Sequence, residues 1–240
     1  MKYMNKNRNN AGSQSEIPHM SHDKNKTSID GYQKFVIENK KVKYSSKIKK
    51  YDNIKRILKR HKHDCNSICD VGCSNGLVLF IAAEEGYNKI VGLDHDTDCV
   101  SLINKTIKHQ DYNNVFAKKY NFGDDIQESY DIICMFALIH WIYSCTAMYG
   151  NFGDILNFIS KHVNKYLLIE WIDPKDEAIK SFKHTSFNRD NLKQNYTYQN
   201  FIEAVKLHFG EPVDIYDTES NTRKILLLSH PNNRSLSDVK

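Results

Sequence analysis

The feature that most constrains this chain is a rhythm. From Asn66 to Trp171 short apolar runs alternate with helical stretches. The runs are Ser67–Cys69, Lys89–Leu93, Val115–Ala117, Asp131–Phe136 and Tyr166–Trp171. The helical stretches are Gly76–Glu85, Thr97–Lys108 and Phe152–Val163. Strand–helix–strand alternation implies parallel pairing, with helices covering both faces of one sheet. The rhythm changes after Trp171. A loop from Asp173 to Asn195 leads to a helix over Thr197–Phe209, then to two strands, Val213–Asp217 and Arg223–Ser229. Only the five residues "TESNT" join this last pair. That is too short for a parallel crossover, so the pair is antiparallel. The expected fold is an α/β three-layer sandwich whose mostly parallel sheet ends in an antiparallel hairpin.

The N-terminal part reads differently. Residues 1–28 lack any apolar period and are expected to form a disordered basic tail. Over residues 29–63 a short apolar cluster is followed by Ile48, Tyr51, Ile54, Ile57 and Leu58, a one-sided helical spacing. That segment reads as a lid and a helix, ahead of the α/β domain at 64–240. Residues 1–63 carry 17 Lys/Arg against 5 Asp/Glu, and residues 64–240 carry 17 against 24. A basic arm on a mildly acidic body fits an anionic partner, RNA or a phosphorylated substrate. A solvated surface in a Lys- and Asn-rich chain accounts for it equally. The longest apolar runs, Leu77–Ala83 and Ile132–Ile139, are far short of a membrane span. The polar start from Met1 has no apolar signal core, so a soluble, cytoplasmic protein is expected.

Of six cysteines, Cys65, Cys69 and Cys73 repeat every fourth residue. No C-x-x-C or H-x-x-x-H partner pattern follows, so no metal site is expected. Reduced, mostly buried thiols are the expectation for these three and for Cys99, Cys134 and Cys145.

The chemistry concentrates in the first crossover, "SICDVGCSNGLVLFIAAEEGYNKIVGLDHD". The first strand ends at Asp70. Gly72 permits a tight turn, and Gly76 opens a helix whose free backbone N–H groups face a ligand. The second strand ends at Asp94, where a carboxylate can accept both hydroxyls of a ribose. The dinucleotide pattern G-x-G-x-x-G is not met, because Ser74 stands between Gly72 and Gly76. A Cβ at that place crowds a pyrophosphate. A cofactor with a ribose and an amino-acid tail is less affected.

At these residues the chain resembles class I S-adenosylmethionine-dependent methyltransferases. "ICDVGCSNG" with "VGLDHD" resembles the family's first motif and its following acidic residue. "YDIICMFALIHW", "NKYLLIEWIDPKDEAI" and the terminal hairpin are similar to its fourth, fifth and last strands, over roughly Tyr51 to His230. The resemblance implies a Rossmann-like, seven-stranded sheet and S-adenosyl-L-methionine as cofactor. It implies that Asp70, Gly72, Cys73, Ser74, Asn75 and Gly76 frame the methionine part. Asp94 would hold the ribose and His95 would lie beside the adenine. Asn121 and Phe122 would flank that base, and Phe136 would close the floor near the sulfonium.

For the acceptor, His140 after strand four and Glu170 at the end of strand five are the candidate catalytic residues at the carboxyl rim. Asp173 and Asp176 lie close to Glu170 and are expected to be solvated loop residues. The resemblance also weighs against some acceptors. There is no Asn/Asp-Pro-Pro-aromatic turn at "MFAL", no Pro before Cys134, and no Asp after strand four. The leading expectation is O-methylation of a small molecule or sugar. The alternatives are an RNA methyltransferase using the basic arm, and a non-catalytic cofactor-fold protein. Residues 30–54 also resemble the methyltransferase part of bacterial O-antigen chain terminators. By that likeness Tyr32, Gln33 and Lys49 lid the site.

Overall fold

A computed structural model describes residues 19–20, 25–31, 33–45, 48–146, 148–181 and 194–233. Its largest unit is a seven-stranded sheet. The strands are β5 (Ser67–Val71), β6 (Lys89–Asp94), β7 (Val115–Lys119), β8 (Tyr130–Met135), β9 (Val163–Ile172), β10 (Asp214–Asp217) and β11 (Arg223–Ser229). Their order is β10-β11-β9-β8-β5-β6-β7. The five strands β5 to β9 pair in parallel, and β11 runs antiparallel to both β9 and β10. The expected sheet and its terminal hairpin are both present. Chain order reverses between β5 and β8, and ligands of such sheets bind outside the carboxyl ends at that switch point.

Two apolar layers flank the sheet. On one face lie α1 (Lys49–His61), α2 (Leu77–Glu84) and α3 (Thr97–His109). On the other lie α4 (Ile139–Cys145), α5 (Phe152–Ser160) and the helix Tyr198–Phe209. A short helix, α6 (Glu177–Ser181), interrupts the stretch expected as a loop, and Tyr198–Phe209 is therefore α7.

Helix α2, "LVLFIAAE", has no polar face, and Leu77 to Ala82 are all buried. A helix apolar all round needs cover on every side. The sheet covers one side, and a second, four-stranded antiparallel sheet covers the other. It comprises β1 (His19–Met20), β2 (Lys26–Ile29), β3 (Phe35–Glu38) and β4 (Lys41–Tyr44). Ile29, Phe35, Ile37 and Val42 point into the same core as α2, and the Phe35 and Phe80 rings lie 6.0 Å apart. The Val42 N–H donates to Glu84 Oε2 at 2.9 Å. The boundary expected at residue 28 falls inside β2, because burying alternate residues of that strand outweighs its polar composition. The segment before α1 is thus a sheet built into the core.

Close packing also fixes β6. A Cβ at Gly92 would stand 2.5 Å from Leu79 Cδ1 and 2.8 Å from Cys73 Sγ. Gly92→Ala is expected to cost about 1–3 kcal/mol through overpacking. A urea midpoint equal to wild type would show that α2 gives way without cost.

Candidate active site

The site is built from strand ends. Beyond Asp70 the chain leaves β5, and the N–H groups of Gly72 and Cys73 still reach Leu93 O of β6 at 2.7 and 3.2 Å. The Gly76 N–H closes onto Cys73 O at 2.9 Å, making a tight turn. Gly76 has a φ of 88°, and a Cβ there would stand 2.9 Å from Ile103 Cγ1, so glycine is required on both counts. Ser74 adopts the same left-handed region, with a φ of 51°. This strained backbone aims its N–H at Asp94 Oδ2, 2.7 Å away.

Asp94 is almost fully buried. Its Oδ1 accepts from the Asp96 N–H at 2.9 Å, and its own carbonyl accepts from the Tyr120 N–H at 2.8 Å. Each carboxylate oxygen keeps a second lone pair, so two more donors can be received. His95 beside it is largely exposed, with Nδ1 3.4 Å from Asp94 Oδ1. Asn121 is exposed and bonds through its N–H and Nδ2 to Asp124 Oδ2. Phe122 is half-buried, its ring 5.0 Å from Tyr149 and 5.2 Å from Phe158. The turn after β7 thus stands beside the Asp94 rim, anchored through Tyr120.

Asp70 is fully enclosed. Burial pushes its carboxyl up to about 8; nearby Asp94 adds to this and Lys50 opposes it. Asn75 is buried and donates from Nδ2 to Gln33 O at 2.5 Å, which brings the β2–β3 loop onto the glycine turn. Asn75 Oδ1 and Gln33 Oε1 are both buried with no hydrogen-bond partner among the described residues.

The rim over β8 and β9 holds a feature the sequence reading missed. Lys50, at the start of α1, is buried and donates to Glu170 Oε2 at 2.6 Å. The same oxygen accepts from the Ala137 N–H at 2.7 Å. Ala137 is left-handed, with a φ of 50°. The Lys50 ammonium also lies 5.3 Å from the centre of the Phe136 ring. Glu170 Oε1 is buried without a partner among the described residues. Lys49, expected at the lid, is exposed, and Lys50 holds the inward place. Tyr32 lies outside the described residues. His140 is buried in the first turn of α4, its ring 5.9 Å from that of the half-exposed Trp141. Leu138 lies against Gly72, where a Cβ would be 3.0 Å from its Cδ1.

Asp176 is not the solvated loop residue expected. Arg223 donates to both its oxygens at 2.8 Å, and Thr222 Oγ1 and the Ala178 N–H add to these. Burial works to raise its pKa, but these bonds outweigh it and hold the carboxyl well below the usual range. A depressed carboxyl stabilises the fold above its unfolded pKa, about 4, and that stability is lost as pH falls further. Asp176→Asn is expected to cost about 2 kcal/mol at pH 6 by losing charged hydrogen bonds. The deficit should shrink towards pH 3; a deficit constant with pH would disprove the linkage.

Among the described residues no group of three or more His, Cys, Asp or Glu is placed to hold a metal ion. Burial pushes the Cys69, Cys73 and Cys134 thiols up, which removes them as thiolate nucleophiles at neutral pH. No helix among these residues is long and apolar enough to cross a membrane.

A family model described as a methyltransferase domain matches residues 62–211. The chain belongs to the methyltransferase-domain family. Over 67 residues this methyltransferase-family chain is 30% identical to the ribosomal protein L11 methyltransferase of Lactobacillus gasseri. That match covers 28% of this chain and 21% of the relative. The magnesium protoporphyrin IX methyltransferase of Synechocystis, solved with bound S-adenosylhomocysteine, aligns with a TM-score of 0.56 at 12% identity. The alignment covers 75% of this chain and 82% of that one. The bifunctional kinase-methyltransferase WbdD aligns with the same score at 15% identity, over 75% and 38% of the two chains. At such identities the likeness is one of fold, and it is the Rossmann-like fold expected.

The residues of this methyltransferase domain fit S-adenosylmethionine. Asp94 is fixed with lone pairs to spare for two hydroxyls. The buried oxygens of Asn75 and Gln33, without a partner among the described residues, stand at the glycine turn, able to receive an ammonium. Ser74 carries a side chain where a pyrophosphate would need room.

Proposed function

We propose that this chain is an S-adenosylmethionine-dependent methyltransferase acting on a hydroxyl of a small molecule or sugar. The observation that carries the cofactor part is the Asp94 carboxylate, immobilised by the Ser74 and Asp96 N–H groups beside the glycine turn. When bound, the cofactor supplies a methyl group on a positively charged sulfur. Asp94 would receive the ribose hydroxyls. Asp70, Gly72, Cys73, Ser74, Asn75 and Gly76 would enclose the methionine part. His95, Asn121 and Phe122 would border the adenine, and Phe136 would close the floor near the sulfonium. Gln33, bonded to Asn75, closes the rim against water.

His140 is the group we assign to take the acceptor's proton, imidazole being the side chain suited to that work near neutral pH. Glu170 serves as its rim partner. With Oε2 already held by Lys50 and Ala137, it orients the backbone ahead of His140 and keeps Oε1 for a donor on the acceptor. Hydroxyl chemistry is favoured by an imidazole next to the carboxyl ends of the strands and by the lack of the amino-methylating turn at Met135–Leu138.

Methyl-tritiated cofactor incubated with the protein and cell fractions tests the reading. Label is expected in the small-molecule fraction, and label confined to RNA or protein would overturn the acceptor class. His140→Gln is expected to lower kcat by about 10²–10⁴-fold with S-adenosylhomocysteine binding unchanged. Unaltered kcat would remove His140 as the base.

A further inference from the structure

We propose a second ligand site, for a small phosphorylated molecule, between the tip of the β3–β4 hairpin and the C-terminal end of α3. A cavity of about 680 Å³ opens there. That volume falls within the usual range for small-molecule sites. It is a different place from the cofactor rim. Helix α3 starts at Asp96, next to Asp94, and its 13 residues carry the chain about 20 Å away.

The walls are held in position. Gln110, buried, donates from Nε2 to Thr27 Oγ1 of β2 at 2.7 Å, tying the sheet to the helix end. Lys40, at the left-handed hairpin tip, donates to Asp111 O at 3.1 Å and lies 5.3 Å from the Tyr112 ring centre. The lining is basic: Lys40, Lys105 and Lys108 oppose one carboxylate, Asp111, and His109 stands among them. Lys105 and Lys108 are exposed and make no ion pair among the described residues. His109 Nε2 is buried with no partner among those residues, and a phosphate oxygen would supply one. Asn39 adds an amide on the facing wall. Cations at a helix C-terminus also complement the helix dipole. That accounts for Lys108 and His109 but not for Lys40, which comes from another element. Phosphate is the ligand chemistry that uses all four at once.

Equilibrium dialysis of the full chain with ³²P-pyrophosphate at low salt tests this. Saturable one-site binding at or below about 1 mM is expected. Lys105→Glu/Lys108→Glu should weaken it at least about tenfold, as loss of two charged contacts implies. Lys59→Glu/Arg60→Glu on α1 changes the net charge equally and should leave it within about twofold. Equal losses in both pairs, or no saturation, would overturn the site. So would binding of a single-stranded RNA oligonucleotide without pyrophosphate binding, since the partner would then be a polymer backbone. Calorimetry with S-adenosylhomocysteine should be unchanged in both pairs, which shows that the variants fold. If the wild type fails to bind that ligand, the methyltransferase reading fails and the pyrophosphate result stands by itself.

Discussion

Lys50→Met is expected to lower the unfolding free energy by about 3–5 kcal/mol, the largest single effect in this fold. The substitution leaves Glu170, fully buried, with a charge and no cation beside it. Glu170→Gln should recover most of the loss when added to Lys50→Met, because two neutral groups no longer need each other. Urea unfolding of the four proteins measures this. Losses that simply add would show that the pair is not coupled.

Asp94→Asn should weaken S-adenosylhomocysteine binding about 100-fold, measured by calorimetry. Each hydrogen bond to a charged group contributes about 1.5–3 kcal/mol, and two ribose hydroxyls lose that partner. Asp98→Asn, in the first turn of α3 and exposed, provides the control. Unchanged affinity in Asp94→Asn would sink the ribose assignment and the cofactor reading with it. A stability change alone, with affinity preserved, would reduce Asp94 to a clamp for Ser74 and Asp96.

The parallel sheet was legible because each strand announces itself locally, and the five-residue connector left the terminal pair a single geometry. The N-terminal sheet was not. Its strands "KTSI", "FVIE" and "KVKY" are four residues each, set among lysines, and the burial that stabilises them comes from α2, far along the chain. The sequence did hold an indirect sign. Leu77–Ala83 has no polar side, which means something beyond the main sheet must cover it. Lys50 was readable by helix phase. It stands four residues before Ile54 and seven before Ile57, on the buried stripe, whereas Lys49 is off it. The Asp176–Arg223 clamp joins residues 47 apart with no periodic signal, so only the folded chain brings it to view.

The cover over α2 has a consequence for the order of events during synthesis. Residues 26–44 leave the ribosome before the helix they must dock against has been made. A small antiparallel sheet without a partner face is marginal in water. At about 5–20 residues per second, the hairpin waits several seconds for Leu77–Glu84 to emerge. A segment translated ahead of α2 thus settles only after it, and the exposed strand edges of the nascent chain are where chaperone binding would count most.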